Sequence, residues 1–114
     1  MNKYRNSKVA ADGMRFDSKL EAKRYMELRL LEKAGKIRDL EIHPSFVIIP
    51  AFTKHGKKYR ETRYIADFAY INTATGNYTI EDTKSPITTE NAVYKLKKKL
   101  FEMKYPWTIT EIKK

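Results

Sequence analysis

Apolar positions recur at helical spacing in two stretches of the chain and cluster into short β-rich runs elsewhere. From Asp17 to about Ala34, Leu20, Leu28, Leu31 and Ala34 share one stripe and Lys19, Lys23, Arg29 and Lys33 lie mostly on the other side, which predicts an amphipathic helix. Gly35 is its expected stop. Ser45-Phe-Val-Ile-Ile-Pro50 and Tyr64 to Ile71 read as strands, with Lys54-His-Gly-Lys-Lys58 as a basic hairpin tip between them. The turn residues of Asn72-Thr-Ala-Thr-Gly-Asn77 lead into a third strand, Tyr78 to Lys84. After Ser85-Pro86 and the cap candidates Thr88 and Thr89, Val93, Leu96, Leu100 and Met103 repeat at helical spacing until Tyr105-Pro106 ends the helix. Trp107 to Ile112 reads as a last short strand, and Asp12-Gly13 within Lys8 to Phe16 predicts a small hairpin near the start.

Helix, three strands, helix and strand in that order predict an α/β (α+β) architecture, a central mixed sheet flanked by helices. The 114 residues contain no repeat and no Gly/Ser linker, so 1–114 is expected to form one domain, with a basic arm at about 1–12. The absence of cysteine removes disulfides, thiolate metal sites and a cysteine nucleophile. No apolar run approaches the roughly 20 residues that span a bilayer, and Met-Asn-Lys-Tyr-Arg lacks the apolar core of a signal peptide. A soluble, cytoplasmic protein without a membrane partner is the expectation.

Charge changes the picture more than length does. Lys and Arg number 24 against 14 Asp and Glu, for a net charge of +10, while 41% hydrophobic and 12% aromatic residues are too many for a disordered basic tail. A folded basic domain points to a polyanion, with nucleic acid first because phosphate neutralisation supplies most sequence-independent affinity. Against this stands the plain alternative that the charge only aids solubility. Of the consecutive blocks 1–16, 17–40, 41–70, 71–84, 85–104 and 105–114, only 71–84, holding Glu81 and Asp82, is net negative, and a divalent cation bridging protein to phosphate would explain such a patch.

Candidate chemistry gathers around that stretch. Asp67 lies in an apolar strand run, where an ionised carboxylate is costly unless a charge or metal meets it. The period of two puts Ile80, Asp82 and Lys84 on one face and Glu81 and Thr83 on the other. A hairpin centred between Ala74 and Thr75 pairs Ala69 with Ile80 and brings Asp67 opposite Asp82, a like-charge pair that Mg²⁺ would relieve. Lys84 is then within reach of a metal-bound phosphate, either stabilising developing charge or activating water; the plain reading is an ion pair with an aspartate. Ser18-Lys-Leu-Glu21 is a capping-box pattern, yet Glu21, Tyr25 and Leu28 share a stripe that borders the sheet-facing side of the helix.

Further phosphate candidates are Lys54, Lys57, Lys58, Arg60 and Arg63 around the second strand and Lys95, Lys98 and Lys99 on the second helix, although a lysine run on a helix is usually a solvated face. Lys98 shares its side of the helix with Tyr94 and Phe101 and is expected near the sheet. His43 and His55 read as structural and loop residues, because neither sits in a metal-ligand spacing.

Asp67, then Asp82-Thr83-Lys84 on the next strand, after a helix carrying Glu21, resembles the PD-(D/E)XK nuclease superfamily, whose αβββαβ core has the same order of elements. With Phe16-Asp-Ser-Lys-Leu-Glu-Ala22, Tyr64-Ile-Ala-Asp-Phe68 and Tyr94-Lys-Leu-Lys-Lys-Lys-Leu-Phe101, most of the chain is similar to small phage and prophage proteins placed in that superfamily. The resemblance implies that Asp67, Asp82, Glu21 and the Thr83 carbonyl bind Mg²⁺, with Mn²⁺ able to substitute, and that Lys84 is the catalytic lysine. Ala66 stands where the superfamily's proline would be, and Glu81 competes with Asp82 for the ligand role. A DNA endonuclease is implied, acting as a homodimer on branched DNA such as a Holliday junction in phage recombination, with no small-molecule cofactor. The alternatives are a non-catalytic nucleic-acid-binding protein of the same fold and a nuclease subunit that needs a partner.

Overall fold

A computed structural model describes residues 9–11, 13–84 and 91–113. Its elements are β1 (Val9–Ala11), β2 (Met14–Phe16), α1 (Lys19–Lys33), β3 (Ile37–Ile42), β4 (Ser45–Ile49), β5 (Phe52–Lys54), β6 (Lys57–Tyr59), β7 (Thr62–Ile65), β8 (Phe68–Asn72), β9 (Tyr78–Lys84), α2 (Ala92–Lys104) and β10 (Ile109–Lys113). Of the expected basic arm at about 1–12, Val9–Ala11 form β1 and the rest lies outside the described residues, as do the cap candidates Thr88 and Thr89; the N-cap of α2 is Asn91, whose side chain accepts from the Tyr94 N–H.

Four strands form a mixed sheet in the order β10-β9-β8-β3, with β9 and β10 parallel and the other pairs antiparallel. The mixed α+β class is as expected, and α1, β3, β8, β9, α2 and β10 follow one another as α, three β, α and β. One face of the sheet packs Phe68 and Tyr70 against Ala22, Tyr25 and Leu28 of α1, with Phe16 and Ile37. The other packs Ala69, Ile80 and Ile109 against Tyr94 and Phe101 of α2, with Ile48 and Tyr64 from the β4–β7 pair. The alternation of one residue to each face along β8 and β9 divides these two cores.

Four expectations are corrected. The first strand of the sheet is β3, which was not anticipated: in Ile37-Arg-Asp-Leu-Glu-Ile42 charges interrupt the apolar positions, because β3 is an edge strand with only Ile37 buried and a bulge between Arg38 and Glu41. The Ser45 run is a strand, but it pairs with β7 outside the sheet. The Tyr64 to Ile71 run is not continuous; it breaks at Ala66 and Asp67, between β7 and β8. The final strand begins at Ile109, not Trp107, whose ring packs on Tyr78 and Tyr105.

The second helix also buries a different stripe. Val93, Leu96 and Met103 are exposed, and Tyr94 and Phe101 carry the packing. The Phe101 ring meets Phe46 and Tyr64 of the β4–β7 pair, and Leu100 beside it is packed in part against the same core. Upstream, β1 and β2 form the expected hairpin, with Ala11 opposite Met14 and Gly13 at φ 76.

Candidate functional site

The break between β7 and β8 is a corner at which the chain changes partners. Before it, the Ala66 N–H donates to the Pro44 carbonyl at 3.0 Å; after it, the Asp67 N–H reaches the Glu81 carbonyl at 3.1 Å and Asp82 Oδ1 at 2.9 Å. The Asp67 backbone is therefore held to β9 through its N–H and to the β3–β4 turn through its carbonyl, which accepts from the His43 N–H, and its carboxylate accepts from the Thr83 N–H and the Thr83 hydroxyl, both at 2.7 Å to Oδ2. The expected register holds up to this point, with Phe68 opposite Glu81 and Ala69 opposite Ile80. Asp67 sits one residue beyond the ladder, half-buried instead of enclosed in a strand, so it meets Asp82 through its backbone.

Asp82 is buried on the α2 side of the sheet, and its Oδ2 has no hydrogen-bond partner among the described residues. Burial pushes its carboxyl up to about 6; Lys84 opposes that shift, and the charge of Glu21 adds to it. Lys84 lies on the same face, as the strand period requires, with Nζ 3.7 Å from Asp82 Oδ2 and 4.3 Å from the centre of the Tyr94 ring. The Tyr94 hydroxyl donates to Glu111 on β10 at 2.6 Å, so the ring beneath Lys84 is fixed at both ends.

Glu21 reaches the same end of the sheet from α1. Ser18 caps the helix by accepting the Glu21 N–H at 3.1 Å, half of a capping box, while the Glu21 carboxylate turns inward and lies 2.7 Å from His43 Nε2. Burial, then the charge of Asp67, holds the Glu21 carboxyl above its usual range, and the His43 contact works against this. One ligand atom each from Glu21, His43 and Asp67 lies within 4.8 Å of the other two. His43 was expected to be merely structural. Its part in the cluster depends on a turn that no spacing rule marks: φ is 54, and its N–H donates to the Asp67 carbonyl at 2.9 Å.

Glu81 does not share the site. It points to the α1 face, where Arg24 donates to both its carboxylate oxygens, at 2.8 and 2.7 Å, and Tyr70 donates to Oε2 at 2.5 Å. Such a fully bonded buried carboxylate has little capacity left for a metal. Glu21, Asp67, Asp82, Thr83 and Lys84 are thus gathered at one end of β8 and β9.

The basic candidates fall into two groups. Lys95, Lys98 and Lys99 line a concavity with Tyr94, Glu111 and Lys113, next to Lys84. Lys98 is held near the sheet as expected, 3.8 Å from Glu111 and 3.9 Å from Glu102. Lys54, Lys57, Lys58 and Arg60 are exposed on the β5–β6 hairpin, whereas Arg63 is engaged by Glu61 at 2.5 Å and by Ser45 at 3.1 Å.

Fold and site together define a mixed α/β domain with three carboxylates, an imidazole and a lysine at one end of its sheet. The chain belongs to the family described as "Protein of unknown function (DUF1064)", whose model matches residues 1–113. No curated protein and no solved structure matches it. Among the described residues, no helix is long and apolar enough to cross a membrane.

Proposed function

We propose that this protein is a divalent-metal-dependent endonuclease that hydrolyses phosphodiester bonds in DNA, a member of the PD-(D/E)XK type. The observation that carries this reading is Asp82 Oδ2, buried without a hydrogen bond among the described residues at the point where Glu21 and Asp67 also converge, with Lys84 beside it. The Lys84 ammonium at 3.7 Å offsets part of the charge of this buried oxygen, yet burial still pushes the Asp82 carboxyl up to about 6, so a further cation at the oxygen would complete its environment.

The donor set fits a hard cation. Glu21 and Asp67 bring carboxylate oxygens within 4.8 Å of each other and of His43, Asp82 would add its carboxylate from β9 beside them, and Thr83, whose N–H faces Asp67, would add its carbonyl. Mg²⁺ suits such oxygens, and the imidazole of His43 also admits Mn²⁺. When bound, the ion supplies Lewis-acid polarisation of a phosphate oxygen and a more acidic water.

The remaining roles belong to this chain's side chains. Lys84, fixed over Tyr94, places its positive charge where negative charge develops on the phosphate. Lys95 and Lys99, beside Lys98, offer phosphate contacts along the concavity that borders Lys84. Four-way-junction or other branched DNA is the substrate we put first, cut in the cytoplasm by a homodimer because two strands must be opened.

The test is cleavage of matched linear, single-stranded, flapped and four-way-junction DNA with Mg²⁺, by wild type and Asp82→Asn side by side. Metal-dependent cuts that disappear in the variant while binding persists are expected. Binding without metal-dependent cleavage of any substrate would replace this reading with that of a binding protein or a partner-dependent subunit.

A further inference from the structure

The β5–β6 hairpin pairs with no other strand among the described residues, and every residue from 51 to 60 is exposed. Its turn is His55-Gly56, with φ 50 and 79, the positive pair that matches the twist of a two-stranded ribbon. The register sets Phe52 opposite Tyr59 and Lys54 opposite Lys57, so the period of two puts all four on one face. The two rings stack with centroids 4.6 Å apart and planes 12° from parallel, yet remain 47% and 40% exposed. Lys57 Nζ lies 5.0 Å from the centre of the Tyr59 ring.

A stacked cross-strand pair by itself could serve only to hold the hairpin together, at about 0.5–1.5 kcal/mol. The charges argue against that as its whole purpose. Residues 51–60 contain Lys54, Lys57, Lys58 and Arg60 and no acid. None of the four is ion-paired among the described residues, and Lys54 directly opposite Lys57 is a like-charge pair that weakens the hairpin. A ribbon shaped for its own stability would not concentrate uncompensated cations at its tip; one that meets a polyanion would.

Resting on the reading of DNA as substrate, we infer that the β5–β6 ribbon enters the major groove of a duplex flanking the cleavage point, with the Phe52–Tyr59 face toward the bases. That groove, about 12 Å wide, admits a two-stranded ribbon. Lys54 and Lys57, at the tip of that face, reach phosphates at the edges of the groove, Lys58 on the opposite face adds positive charge to the ribbon, and the paired rings supply a rigid apolar surface to base edges. The chain from Tyr59 to Asp67 spans at most about 29 Å, so the contact falls within roughly one helical turn, about 34 Å, of the carboxylates. The substrate class follows: branched or nicked DNA with a duplex arm beside the cut, not a bare single strand.

Fluorescence anisotropy with a duplex of about two helical turns, in EDTA and across roughly 50 to 200 mM salt, tests this. Lys54→Gln/Lys57→Gln/Lys58→Gln is expected to weaken binding at least tenfold at low salt and to lower the slope of log K against log salt by about 2 or more. A charge-matched control, Lys23→Gln/Lys33→Gln/Lys36→Gln, should change the slope by less than about 1. Phe52→Leu/Tyr59→Leu should weaken binding with the slope unchanged. All the lysines are exposed, so an unaltered thermal transition should confirm that both triple variants fold. Equal losses from the two triple variants would overturn the ribbon's role while leaving the nuclease reading intact; a wild type that binds no duplex would overturn both.

Discussion

The imidazole of His43 stands 2.7 Å from Glu21 Oε2 while the same residue's N–H donates to the Asp67 carbonyl at 2.9 Å. One residue thereby sets the position of two carboxylates that come from α1 and from the β7–β8 corner. Its left-handed backbone, φ 54, aims the N–H and the ring at these two targets. His43 is thus a positioning residue for the cluster. Removing the ring in His43→Ala should raise the Mg²⁺ concentration for half-maximal cleavage about 10–100-fold and leave the rate at saturating metal nearly unchanged, with His43→Gln recovering part of the loss. A lower saturating rate with no metal shift would place His43 in the chemistry itself.

Asp82 links pH to stability. Its folded-state carboxyl titrates at about 6 against an ordinary 3.8, so between these values the folded protein holds a proton that the unfolded chain has released. Stability therefore falls as pH rises through that window, and the full penalty is present above it. Metal-free Asp82→Asn should exceed the wild type by roughly 1–3 kcal/mol at pH 7 and lose that advantage near pH 4. Denaturant unfolding at the two pH values measures this. A variant weaker than wild type at pH 7 would mean that the Lys84 pair outweighs the cost of burial.

Metal addition separates the site from the scaffold. A ligand that binds only the folded state stabilises it in proportion to its saturation, so Mg²⁺ or Mn²⁺ should raise the melting temperature of the wild type and not of Asp82→Asn. Calorimetric scans with and without the ion decide it.

Lys84→Met should separate charge from binding. Lys84 touches Asp82 and the Tyr94 ring and is offered to the phosphate, so its loss is expected to cut the cleavage rate about 10²–10³-fold while metal-induced stabilisation persists. Loss of the stabilisation as well would show that Lys84 builds the site instead of acting in it.

Arg24→Ala tests the assignment of Glu81 to structure. It leaves a fully buried carboxylate with only Tyr70 as donor and should destabilise the fold by about 3 kcal/mol. Cleavage per folded molecule, measured well below the melting transition, should be retained; a specific loss of activity would bring Glu81 back into the site.

Much of this arrangement was legible in the sequence because it rests on local periods. The 3.6-residue stripe of Glu21, Tyr25 and Leu28 is buried as one face of α1, and the two-residue period of β9 puts Asp82 beside Lys84. The turn at Asn72 to Asn77 set a register that the structure follows from Ile71 opposite Tyr78 to Phe68 opposite Glu81. Two further features follow from residue type alone: the HG turn of the basic hairpin and the helix stop at Gly35, both using positive φ.

Other features depend on contacts between distant segments. The break at Ala66-Asp67 arises because the chain bonds to Pro44 on one side and to Glu81 on the other, and no apolar pattern marks that exchange. Arg24 claims Glu81 from 57 residues away, leaving Asp82 to the site, and His43 reaches Glu21 from 22 residues away. On α2, Tyr94 and Phe101 are buried while Val93, Leu96 and Met103 stay exposed, because Phe101 meets Tyr64 and Phe46 of the distant β4–β7 pair. By itself, then, the sequence determined the elements, their mixed class, the basic character and the pairing of Asp82 with Lys84, all set by short-range geometry. The tertiary structure alone decided which carboxylates meet, which is neutralised by arginine and which aromatic pair stays on the surface, since burial and long-range hydrogen bonds exist only once the chain has folded.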